Sequence, residues 1–132
     1  MKLELYILVL FSFIFNCKTN TPLRPSVSIN AYDVVTSHLE VQVNSMGVWH
    51  ASEGELGRIE VIDRQGKLLC MGFLTTTEDW MKEDPVLFKT LLEFDPKHAE
   101  EGTLIIYNNP GDGSGEEARE SQQFEVPIRF KP

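Results

Sequence analysis

Cysteine is scarce in this chain: Cys17 and Cys70 are the only two among 132 residues. A single pair cannot form the multi-bridge framework that staples small secreted folds. There is no C-x-x-C or H-x-x-x-H spacing, and His38, His50 and His98 are scattered, so no zinc site is expected. Long apolar runs are missing too. Leu5 to Phe15, about eleven residues, falls well short of the roughly 18 to 20 needed to span a bilayer. Basic residues are outnumbered, 12 Lys and Arg against 20 Asp and Glu, for a net charge of -8. That balance repels phosphate backbones and anionic headgroups, which disfavours nucleic acid as a partner.

Catalytic signatures are lacking in the same way. The chain has no Walker-type phosphate loop, and "GDGSGEE" fails the G-x-S-x-G elbow because Asp112 occupies the first glycine position. No amphipathic pattern sustains a helix of three turns. The expectation is a non-enzyme without cofactor or metal, in which no residue is assigned a catalytic role.

The amino terminus carries the first positive signal. Met1 and Lys2 precede the uncharged run Leu5 to Phe15, which has the length of a secretory h-region. The run ends on "IFNC", which resembles a bacterial lipobox, with aliphatic Ile14 three places before Cys17. Residues 1–16 are therefore expected to be a lipoprotein signal peptide, and Cys17 the lipidated mature terminus. The alternative for Cys17 is a disulfide to Cys70, which lies in the apolar stretch "KLLCMGF", where a free cysteine behaves as a small hydrophobe. Several acyl chains on one sulfur and one amine, at about 0.8 kcal/mol per buried methylene, would anchor the protein to a membrane durably. Residues 17–25, polar and carrying Pro22 and Pro25, suit an extended tether. Loss of the leader removes Lys2 and Glu4 together, so the net charge is unchanged.

Residues 26–132 show repeated period-two alternation, the pattern of half-buried strands. In "LEVQVN", Leu39, Val41 and Val43 share a face; in "RIEVID", Ile59 and Val61 do. "DRQGK" then turns into "LLCMGFLTT", apolar on both faces, whose core side alternation alone leaves open. "FKTLLEFD" groups Phe88, Thr90, Leu92 and Phe94, "TLIIYNN" is β-branched and aromatic, and "FEVPIRF" groups Phe124, Val126, Ile128 and Phe130. Pro127 falls on the opposite face and suits an edge or bulge. With "SVSI" and "GVW", about seven short antiparallel strands are expected, an all-β immunoglobulin-like β-sandwich.

The order "VVTSHLEVQVN", "RIEVIDRQGKLL", "EDWMKEDPVLFKTLLEFD", "GTLIIYNNP", "FEVPIRF" resembles the immunoglobulin-like domain of bacterial spore germination, a GerMN-associated family. The most specific block is Asp79, Trp80, Met81, Glu83 and Asp84 ahead of an aromatic-bearing strand. The resemblance implies an extracytoplasmic sandwich, often in lipoproteins, with no established catalysis. His38 stands where the family tends to Pro, and "VWHASEGELG" is this chain's own version of a variable loop.

Two clusters invite a binding reading. Trp80, with Glu83 and Asp84 among the acids of "TEDWMKED", either plugs one end of the sandwich or recognises a partner, and Trp49 with His50 lies in a loop without strand pattern. Trp49 and Trp80 as stacking platforms would make a carbohydrate-binding module for peptidoglycan or surface glycan. Paired carboxylates between Glu78 and Asp84 raise a hydrolase as a further alternative. In "NNPGDGSGEE", Asp112, Ser114 and Glu116 are hard oxygen donors for calcium, against the plainer reading of a solvated loop. The leading expectation is a cell-envelope lipoprotein, anchored to a membrane by its lipid. Its domain binds or spaces a protein or glycan partner, with loops at one end as the contact surface.

Overall fold

The structure, a computed structural model, describes residues 24–82, 84–111 and 120–131. Eight strands form where alternation or β-branching dictates: β1 (Ser26–Val27), β2 (Asp33–Val35), β3 (Leu39–Asn44), β4 (Glu55–Asp63), β5 (Leu68–Thr75), β6 (Leu87–Leu92), β7 (Glu101–Asn108) and β8 (Gln123–Phe130). Among the described residues there is no helix. The strands join into one curled mixed sheet in the order β1-β3-β6-β5-β4-β7-β8-β2.

This differs from the expected seven antiparallel strands in two places. β2 is an additional strand and pairs in parallel with β8, Asp33 opposite Ile128. "GVW" is a turn, because Met46 (φ 54°) and Gly47 (φ 70°) are left-handed and cannot extend a strand. Pro127 behaves as the sequence suggests: β2 pairs only with Ile128 to Phe130, so Pro127 sits on the part of β8 whose outer side is a sheet edge. Its carbonyl accepts the Tyr32 N–H at 2.7 Å, so the position of its missing N–H also turns away from β7 and costs no ladder bond.

The curl brings the inner faces of all these strands onto one core. Val41 and Val43 of β3, Phe88 and Leu92 of β6, Ile59 and Val61 of β4, and Leu104 and Ile106 of β7 are buried in a single cluster. β8 closes it with Val126, Ile128 and Phe130, the last stacked on Phe94 with ring centroids 5.7 Å apart. Burying one such side chain is worth about 1.5–3 kcal/mol, which makes this cluster the main source of stability. The ambiguous β5 turns Cys70, Gly72 and Leu74 inward and Met71 and Phe73 outward. Burial pushes the Cys70 thiol up from its ordinary range, as for an inert core cysteine.

Backbone requirements explain two sequence details. At Gly57 a Cβ would fall against the Tyr107 carbonyl, so only glycine lets β4 lie this close to β7 after the bulge at Leu56. His38 has φ 62°, which proline's ring forbids.

Candidate functional site

β3, β4, β5, β6, β7 and β8 all turn at one end of the sheet, where the described residues of connections 45–54 and 76–86 and the two ends, 109–111 and 120–122, of the third gather together. Each is tied down by its own polar residues. Ser45, buried between the first two loops, donates its N–H to the Val86 carbonyl and accepts the Val86 N–H on its hydroxyl, both at 2.9 Å. Its carbonyl accepts the Val48 N–H at 2.8 Å. Glu53 and Gly54, at φ 53° and 80°, form a tight turn closed by reciprocal Ser52–Glu55 backbone bonds, and the Trp80 ring covers Gly54.

Asn108 and Asn109 hold the third loop. The Asn108 amide donates to the Glu120 carbonyl at 2.9 Å, and its oxygen accepts the Gln122 N–H at 2.7 Å. The Asn109 amide donates to the carbonyls of Ser52 and Glu55 at 3.3 and 3.1 Å, and its oxygen accepts the Gly111 N–H. These amides, which the sequence offers as oxygen donors for an ion, are committed to the backbone. The calcium candidates Asp112, Ser114 and Glu116 lie outside the described residues, as do Glu83 and Cys17. Among the described residues no group of three or more His, Cys, Asp and Glu is placed to hold a metal.

Trp49, His50, Trp80 and Asp84 do come together. They border a recess shared with Ser45 and Val86, with a volume of only about 10 Å³, too small for a sugar ring. Trp49 is 6% exposed and packs at 5.6 Å, tilted 56°, on Phe124 of β8. Its ring has no open face, which corrects the expectation of a stacking platform there. Trp80 is half-buried against the same core, while His50 and Asp84 are at the surface.

The N-terminal segment enters at this same end. The Arg24 guanidinium lies over the Phe124 ring, 4.7 Å from its centroid, and Trp49 packs tilted against the same ring. Neighbouring Glu55 has its carboxyl pushed above the usual range by burial, with Arg58 opposing the shift.

The opposite end carries a cleft of about 500 Å³ that the sequence did not single out. Leu69, Pro96 and Ala99 supply its apolar part; Arg64, Lys67, Lys97 and His98 stand beside Asp63, Glu100 and Glu101 around it. Asp63 is spent on its own turn, where its carboxylate accepts the Gln65 and Lys67 N–H groups at 2.9 Å. The remaining rim is of mixed sign.

No protein-family model matches the chain, and neither does any curated protein or solved structure.

Proposed function

We propose that this protein is a lipid-anchored, extracytoplasmic module with an immunoglobulin-like β-sandwich, which binds or spaces a protein partner in the cell envelope and has no catalysis of its own. The strand order supports the sandwich. β1, β3 and β6 form one flank and β4, β7, β8 and β2 the other, with β5 at the corner and both inner faces in one core.

The observation that carries the reading is where the tether enters. Only seven residues, Lys18 to Arg24, follow Cys17 before the Arg24–Phe124 stack. Their full reach is at most about 25 Å. An acylated Cys17 would therefore hold the loop end of the domain toward the membrane and turn the opposite end outward. The partner-facing surface becomes the mixed-charge cleft at residues 63–67 and 96–101 rather than the loops. A rim of both signs over an apolar floor suits a polypeptide and suits nucleic acid poorly.

Cys17→Ala tests the anchor. In a bacterial host fed labelled palmitate the native chain is expected to take up the label and to lose residues 1–16, and the variant to stay unlabelled and uncut. A native chain without label, or a variant labelled and cut like it, would overturn the reading.

A further inference from the structure

The sheet has one seam that its own strands leave nearly open. β5 has seven register partners in β4 but a single one in β6, Thr75 opposite Lys89. Among the described residues no strand partners Leu68–Leu74 on the side away from β4. β6 meets β5 there from the inside, since a side chain at Gly72 would run into Thr90 and Leu92. Natural proteins blunt such edges with charge, proline or a bulge. β5, "LLCMGFLT", contains neither charge nor proline, and its bulge lies at its start, between Ile62–Leu68 and Val61–Cys70. Beyond it, Met71 and Phe73 are 46% and 54% exposed.

We infer that the Cys70–Leu74 edge pairs antiparallel with the same edge of a second copy of this chain, forming an isologous dimer across a two-fold axis at Gly72. Charge placement favours a second copy as the occupant. Each copy carries -8 overall, so two copies repel at long range and the seam needs a local attraction. β5 supplies it by its flanks: Arg64 and Lys67 precede the uncharged strand, and Glu78 and Asp79 follow it. With Gly72 opposite Gly72, the basic flank of each copy runs beside the acidic flank of the other. The same register sets Met71 opposite Phe73 of the second copy, twice, an apolar sulfur–aromatic pair of the kind that stabilises sheets.

A seam this short belongs to the small, transient class of interfaces, below about 1,200 Å², so it is tested on the full chain in mild detergent at about 100 μM by sedimentation equilibrium. The native chain is expected to give a protein mass approaching twice the monomer. Phe73→Lys and Met71→Lys, each at an exposed position, are expected to weaken association about tenfold or more while the strand circular dichroism is kept. Arg64→Glu with Lys67→Glu, and separately Glu78→Lys with Asp79→Lys, are expected to be monomeric alone and to associate when mixed. A monomeric native chain would assign the edge to a strand from another protein and overturn the self-pairing. A dimer indifferent to both lysine variants, or charge variants that fail to associate on mixing, would overturn it as well.

Discussion

At the scale of single residues, burial separates structural side chains from available ones. Trp49, 6% exposed, packs at the loop end between the core and the Phe124 ring that Arg24 covers. Trp49→Ala is expected to cost about 3–5 kcal/mol in urea unfolding, the usual range for deleting a buried aromatic. A loss under 1 kcal/mol would mean that the ring is not buried as described. Glu55 gives a prediction of opposite sign. Its folded carboxyl titrates above the ordinary value, so near that value the folded chain holds more proton than the unfolded one. Its contribution to stability is therefore better at low pH and declines as pH rises from about 4.5 through the raised folded value. Glu55→Gln is expected to raise the thermal midpoint at pH 7 and to lose that advantage below about pH 4, measured by melting across pH. An unchanged difference at both pH values would contradict the assigned cause.

Legibility from sequence also differs by residue, for a physical reason. Trp49 has no local strand pattern, and what buries it is Phe124, far along the chain, so no window around Trp49 reports its burial. Asn108 and Asn109 stand in a Gly-rich loop where amides resemble ligands, and only the fold reveals the carbonyls that take their donors.

At the scale of elements, β3, β4 and β8 are legible because one of their faces is buried along its length, so side chains alternate, whereas β7, buried on both faces at Leu104 to Ile106, is legible from its β-branched and aromatic run. β2 was not, because three residues beside a parallel neighbour carry too short a pattern. "GVW" misleads because its apolar residues pack from a turn whose left-handed φ values no propensity argument detects. The cleft at residues 63–67 and 96–101 joins two turns remote in sequence, each ordinary by itself. The loop end is held as a unit by side chain to backbone bonds, and Asn109 ties the third loop to the Ser52–Glu55 turn. Asn109→Ala is expected to cost about 1–3 kcal/mol, since it leaves part-buried carbonyls without their donor. Hydrogen exchange should locate the loss in amides of 52–56 and 109–111, which are expected to exchange faster, with the β3–β6 ladder unchanged. Equal acceleration throughout the sheet would show that the loop is not an independent unit.

At the scale of the whole molecule, the two ends of the sheet differ. A curled all-β sheet places three loops and the entering chain at one end and an open cleft at the other, and its acidic surface opposes contact with anionic headgroups. A lipid at Cys17 would supply the attachment that this surface cannot, within the roughly 25 Å reach of its short tether. On the proposed anchoring, polarity with respect to the membrane would follow from the fold, with the cleft and the β5 edge left to partners.

The most direct test is the intact mass of the protein extracted from bacterial membranes, with fragmentation of its amino-terminal peptide. The account predicts a chain that begins at Cys17, with a diacylglyceryl group on its sulfur and an acyl chain on its amine. A chain retaining Met1 to Asn16, or one with an unmodified Cys17 thiol, would contradict it.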